Sequence, residues 1–237
     1  MAKRVSLFVT CMVDQLLPKA GMAMADVLER AGFDVEFREA QTCCGLPAYQ
    51  AGCVAHAREV GSHFLKTFAD ADYIVVPSTR CAGMLRRDLP RLFSDDPSAR
   101  GDAQALSTRV WEFSRFLLEV AKVDSFGARF PHRVTYFDTC PAPGQTGPRE
   151  LLQRVQDLEY VEMNGSAECC GFGGSFRRDG PAETDVMTQR QVVRILASKA
   201  THVVGLDVAC LLQLRRALES GKHPVRAVHL AEVLASR

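Results

Sequence analysis

One pattern of residues occurs twice in this chain, and cysteine keeps the register. The run from Arg4 to Cys11 matches the run from Arg133 to Cys140, Cys43-Cys44-Gly45 matches Cys169-Cys170-Gly171, and Tyr73–Val76 leading to Cys81 matches Thr201–Val204 leading to Cys210. The offsets are 129 residues for Cys11 to Cys140, 126 for Cys43 to Cys169 and 129 for Cys81 to Cys210. Eight of the nine cysteines obey this register, and only Cys53 stands outside it. The ends echo as well, Glu112–Leu117 against His229–Leu234. A repeat with a period this long means two copies of one folding module. The expected division is residues 1–125 and 126–237, with the joint between Ala121 and Arg133, where Gly127 and Pro131 interrupt the pattern.

Each copy alternates short apolar, β-rich runs with amphipathic stretches. In the first, Val5–Thr10 reads as a buried strand, Lys19–Ala31 as a helix, Val35–Phe37 as a strand, Val54–Ala69 as a helix and Tyr73–Val76 as a strand. In the second, strands are expected at Val134–Phe137, Tyr160–Glu162 and Val203–Val204, with helices over Arg149–Val155 and Thr184–Ala197. Alternation of this kind predicts an α/β fold: two doubly wound modules with mostly parallel sheets, related by a pseudo-twofold axis. Parallel strands bring their C-terminal ends to one edge, where open α/β sheets place ligands. Cys11, Cys43, Cys44 and Cys81 all follow strands, so topology alone carries four thiols to one place. Cys140, Cys169, Cys170 and Cys210 do the same in the second copy.

Compartment decides what clustered thiols mean. The longest apolar runs are about ten residues, short of the roughly 20 a bilayer span requires, so no transmembrane segment is expected. Lys3, Arg4 and the apolar run to Val13 resemble a secretory leader, but the run stops at Asp14 and cleavage there would discard Cys11. The chain therefore reads as cytosolic and complete, where thiols serve as metal ligands or redox groups rather than structural disulfides. With 29 basic and 28 acidic residues, it has no global field to draw it to nucleic acid.

Four convergent thiols can hold an iron–sulfur cluster, hold zinc, or cycle between dithiol and disulfide. The last is disfavoured, because vicinal cysteines form strained disulfides whereas exchange enzymes use Cys-x-x-Cys. The glycines after each pair permit positive φ and bring backbone amides close to sulfur, which would stabilise a cluster. The Gly171–Gly174 stretch lacks the spacing of a dinucleotide fingerprint, and no flavin or nicotinamide site is evident.

A single cysteine, then Cys-Cys-Gly, then a cysteine, twice over, resembles the paired CCG cysteine-rich domains found in heterodisulfide reductase and in the glycolate oxidase iron–sulfur subunit. The whole chain from Val5 to Arg237 is most similar to the lactate utilization protein A family, through Ser6–Cys11, Cys43–Ala48, Cys169–Phe176 and Val228–Leu234. The resemblance implies an iron–sulfur electron-transfer subunit of a complex that oxidises L-lactate, or a related 2-hydroxy acid, to pyruvate. It also implies a ferredoxin-like iron–sulfur subunit and a third small subunit as partners. Eight ligands follow from it: Cys11, Cys43, Cys44 and Cys81 for one [4Fe-4S] cluster, and Cys140, Cys169, Cys170 and Cys210 for a second, with zinc as the alternative metal and a non-electron-transferring scaffold as the alternative function. In the heterodisulfide reductase relative the last cysteine belongs to a Cys-x-x-Cys and the cluster is noncubane. Here Cys81-Ala82-Gly83-Met84 and Cys210-Leu211-Leu212-Gln213 lack the second thiol, which leaves four donors per module and suits a four-ligand cluster or zinc. The Cys140-Pro141-Ala142-Pro143-Gly144 loop departs further.

Other polar residues read as structural. His56 and His63 sit seven apart on one helical face, and His229 has no cysteine beside it. Asp138 and Asp207 end strands and either cap helices or orient a partner. Arg80 precedes Cys81 and either favours its thiolate or binds a carboxylate. Cys53 is expected as a buried helical thiol, and Trp111 as core.

Overall fold

The computed structural model describes residues 3–138, 146–165, 168–173 and 181–237. Two compact units emerge, Met1–Lys122 and Val123–Arg237.

In the first unit the apolar runs become the central strands. β1 (Arg4–Leu7) and β3 (Ile74–Val76) are buried along nearly their whole length, as strands of a sheet covered on both faces must be. β2 (Asp34–Phe37) and β4 (Val110–Glu112) flank them in the order β2-β1-β3-β4, all parallel, with Val5 opposite Val35, Leu7 opposite Val75, and Val75 opposite Trp111. Between β1 and β2 run α1 (Cys11–Leu16) and α2 (Pro18–Arg30). Between β2 and β3 run α3 (Leu46–Gln50) and α4 (Val54–Thr67). The connection to β4 holds α5 (Thr79–Gly83), a π-helical turn at Met84–Asp88, α6 (Leu89–Leu92) and α7 (Pro97–Ser107).

This order reverses direction after β2. Right-handed crossovers therefore place α2 on one face and α4, α6 and α7 together on the other, and α4 does pack against α6 and α7. Below α4 lies an aromatic cluster: Phe8 meets Phe64 and Phe68 at 5.7 Å between ring centroids, and Phe64 meets Phe68 at 5.0 Å. Buried aromatics of this kind contribute about 3–5 kcal/mol each when truncated to alanine. The loops leaving β1 and β3 turn to opposite faces, which opens a crevice at their C-terminal ends.

The second unit repeats the plan with β5 (Arg133–Tyr136), α9 (Thr146–Gln153), β6 (Glu159–Tyr160), α10 (Pro181–Ala197), β7 (His202–Gly205), α11 (Val208–Ser220), β8 (Arg226–His229) and α12 (Leu230–Ala235), after α8 (Phe113–Phe116) closes the first. Its sheet order is β6-β5-β7-β8, again all parallel. Helix α10 packs on α11, and α9 on α12.

The α/β reading and the repeated, parallel modules stand. Two strands are additional, β4 and β8, the fourth of each sheet, which lie where the sequence shows only an echo of ends; the longer helices α7 and α11 are additional as well. Trp111 is corrected accordingly. It sits half-buried on the edge strand β4, with the Arg86 guanidinium 5.8 Å over its ring.

Candidate functional site

Thr10 caps α1, its hydroxyl accepting from the Val13 amide at 3.4 Å, so the helix opens on Cys11 and leaves that side chain exposed. Ser78 caps α5 in the same way, accepting from the Cys81 amide at 3.3 Å, which turns a half-buried Cys81 toward the crevice beyond β3. Between them, the loop after β2 carries half-buried Cys43 and buried Cys44. The Cys11 and Cys43 sulfurs lie 3.8 Å apart.

The turn after the pair fixes their geometry. Gly45 adopts φ +82°, a left-handed conformation, and its amide donates to the Cys43 sulfur at 3.4 Å. Only glycine enters that region without strain. Hydrogen bonds from Cys11 and Cys44, supported by the Gly45 amide, hold the Cys43 thiol well below its usual range. Cys11 is pushed up, first by its bond to Cys43 and then by burial. Cys44 is also raised, by its bonds to Cys43 and Cys81 and by desolvation.

The second unit reproduces this turn closely. Gly171 has φ +84° and its amide donates to the Cys169 sulfur at 3.3 Å. The neighbouring Cys169 and Cys210 thiols, and then burial, push the Cys170 thiol up. Cys210 lies in the first turn of α11, which Asp207 begins at the N-cap. Cys140 lies outside the described residues. The positions three residues after Cys81 and Cys210 are otherwise engaged: Met84 is packed in the core, and Gln213 donates to Thr188 at 3.0 Å, which in turn donates to the Cys170 carbonyl at 2.8 Å.

Each unit also ties the strand ends that lead into its cysteine loops, by different means. In the first, Gln41 accepts from the Val9 amide at 2.8 Å and donates to the Leu7 carbonyl at 3.3 Å, joining the exit of β1 to the loop two residues before Cys43. In the second, Asp138 stands where Val9 does, two residues before the cysteine. It is buried and takes a two-pronged pairing from Arg149, 2.8 Å on each side. Arg149 reaches on to Glu162 at 2.9 Å beyond β6, and Tyr160 donates to the same carboxylate at 2.6 Å. Both carboxylate partners raise the Arg149 pKa. Gln41 and Arg149 escaped the sequence reading; Asp138 did not, and its role is a buried ion pair.

The remaining singled-out residues fall into place. His229 is buried and caps α12, with its ring accepting from the Ala231 amide at 3.1 Å and Glu232 completing the capping box. His63 contacts the Ala40 carbonyl at 2.6 Å, and Arg80 donates to Gln50 at 3.0 Å. Cys53 is a correction: it is exposed and stands at the N-cap of α4, because the helix begins at Val54 rather than including it.

Thiolates gathered from three loops, one of them receiving a backbone amide, are the donors that iron and zinc take. The Cys11–Cys43 separation of 3.8 Å matches the edge, about 3.8 Å, of a sulfur tetrahedron around one metal with bonds of about 2.3 Å. Among the described residues no set of three or more His, Cys, Asp or Glu side chains forms a ready metal-ligand group. The donor chemistry fits a thiophilic metal, with Cys11, Cys43, Cys44 and Cys81 as the residues to hold it.

The cysteine-rich domain family termed CCG matches residues 5–86 and again 134–215. Lactate utilization protein A of Geobacillus thermodenitrificans is 38% identical over 239 residues, covering 99% of each chain. The protein of that name from Exiguobacterium is 39% identical over 236 residues, covering 97% of this chain and 96% of the other. A crystal structure of a hypothetical protein from Helicobacter pylori shares the fold, with a TM-score of 0.66, 8% identity and coverage of 97% of this chain and 47% of that one.

Proposed function

Since the chain belongs to the lactate utilization protein A family of paired CCG cysteine-rich domains, we propose that it is an iron–sulfur electron-transfer subunit of a complex oxidising L-lactate, or a related 2-hydroxy acid, to pyruvate. The observation that carries this reading is the amide-to-sulfur turn at Cys43 and Gly45, repeated at Cys169 and Gly171, with the Cys11 sulfur in contact with Cys43. In the proposal, residues 1–125 and 126–237 form one module each. The second ligand set is Cys140, Cys169, Cys170 and Cys210.

A [4Fe-4S] cluster in such a site supplies one-electron chemistry. The chain's own contribution is to hold four thiolates and to direct amides at sulfur, which lowers the cost of their charge. As the family resemblance implies, the reading includes a ferredoxin-like iron–sulfur subunit and a third small subunit as partners. Among the described residues no helix is long and apolar enough to cross a membrane, and the reading places the complex in the cytoplasm.

Cys44→Ser tests the assignment, because Cys44 is the buried thiol of the first set and serine there preserves its size. The variant is expected to lose the iron and visible absorbance of the first site while keeping its far-UV circular dichroism. Iron content and absorbance equal to the parent would refute it. The 3.8 Å sulfur separation favours one second reading: a single zinc closing each site, in a subunit that scaffolds the complex without carrying electrons.

A further inference from the structure

The four thiols of the first site differ in how far solvent reaches them. Cys11 is exposed and Cys43 half-buried, whereas Cys44 is only 3% exposed. Cys81 is half-buried as well, but the pair in contact is Cys11 and Cys43, 3.8 Å apart and 32 residues apart in sequence. We propose that the metal-free first site closes a reversible Cys11–Cys43 disulfide, which withdraws two of its four donors and makes metal loading dependent on thiol redox state.

The alternatives within the site are poorer. A Cys43–Cys44 bridge would close a strained ring between neighbouring residues. A Cys44–Cys81 bridge would need Cys44, which is only 3% exposed, to take part in the exchange. Bonding Cys11 to Cys43 brings the sulfurs to about 2.05 Å, a movement within side-chain rotation at the start of α1 and in the loop after β2. Cys170 and Cys210 are buried, so the described thiols of the second unit offer no comparable outer pair.

The oxidant is a low-molecular-weight disulfide, RSSR. The Cys43 thiolate attacks one of its sulfurs, forming a mixed disulfide and releasing RS⁻. Cys11, as thiolate, then attacks the Cys43 sulfur and releases the second RS⁻. Two protons leave the protein thiols and end on two RSH. The protein has lost two electrons, and RSSR has gained them. A dithiol reductant reverses both steps.

The experiment uses metal-free, full-length protein carrying Cys53→Ser, since exposed Cys53 stands outside the site and would take up glutathione on its own. After incubation with oxidised glutathione and alkylation, tryptic mapping is expected to find the Val5–Lys19 peptide joined to the Glu39–Arg58 peptide. The junction should vanish in Cys43→Ser and in Cys11→Ser. Stable glutathione adducts on Cys11 or Cys43 without a junction, or a junction that survives Cys43→Ser, would overturn the disulfide. The gating consequence rests on the reading of these thiols as metal ligands, and zinc uptake tests it separately. Oxidised protein is expected to bind less zinc than the reduced control and to recover after dithiothreitol. Equal uptake by crosslinked and reduced protein would overturn the gating, and a reduced control that binds no zinc or iron would instead overturn the metal reading.

Discussion

Alanine at the two turn glycines should have unequal costs, although the sequence context is the same. Both Gly45 and Gly171 hold φ above +80°, so each substitution incurs the left-handed penalty of about 1–2 kcal/mol. At Gly45 a new Cβ meets the Val60 side chain at 3.5 Å and the Ala57 carbonyl at 3.6 Å, ordinary contact distances. At Gly171 it meets the Thr184 carbonyl at 2.9 Å, the Thr184 Cα at 3.1 Å and the Met187 Cβ at 3.3 Å. Two of those atoms are helix backbone and cannot swing aside, so overpacking adds about 1–3 kcal/mol. Gly45→Ala is therefore expected to cost about 1–2 kcal/mol and Gly171→Ala about 2–5 kcal/mol. Urea denaturation reads both: the lone tryptophan, Trp111, reports by fluorescence from β4 of the first unit, and far-UV circular dichroism follows the second. A Gly171→Ala variant no less stable than Gly45→Ala would refute the close approach of α10 to the second cysteine turn.

Three further substitutions follow from the polar links. Arg149→Met leaves the Asp138 carboxylate buried without its two-pronged partner and should cost about 3–5 kcal/mol in chemical denaturation; a loss under 1 kcal/mol would contradict the buried pairing. Gln41→Leu strands the Val9 amide and should cost about 1–3 kcal/mol, with a lower metal content at the first site as the accompanying readout. His202 is buried beside His132, with ring centroids 4.4 Å apart, and burial foremost, then the charges of His132 and Arg226, lowers its pKa from 6.5 to about 4. The unfolded chain thus takes up this proton first as pH falls, so the stability His202 contributes is intact above about pH 6.5 and is lost between there and pH 4, by about 3 kcal/mol. His202→Asn should flatten that part of the stability–pH curve, and an unchanged slope would refute the assignment.

What could be read in advance was whatever the backbone repeats. Strands β1, β3, β5 and β7 are short runs buried on both faces, and their apolar residues declare them. The conformation of Gly45 and Gly171 was legible because a glycine directly after paired cysteines has few other reasons to recur. The edge strands β4 and β8 were not, since three or four residues that pair along one side only carry little pattern of their own, and Trp111 was misplaced with them. Cys53 looked helical because the apolar periodicity of α4 begins beside it, but the helix starts one residue later and leaves it exposed. Gln41 and Arg149 were invisible for a different reason. Each acts by joining loops whose ends are distant in sequence, Gln41 reaching back to Leu7 and Val9, and Arg149 spanning Asp138 and Glu162. Neither link repeats between the units, so comparing the two halves could not reveal them.

The most direct test of the central claim is the metal itself: iron, acid-labile sulfide and zinc measured on anaerobically purified full-length protein, together with its visible spectrum. The account predicts a brown protein with iron and sulfide in near-equal amounts, bleached at the first site by Cys44→Ser. A colourless protein holding zinc and no sulfide would contradict electron transfer and leave a scaffold built on the same thiols.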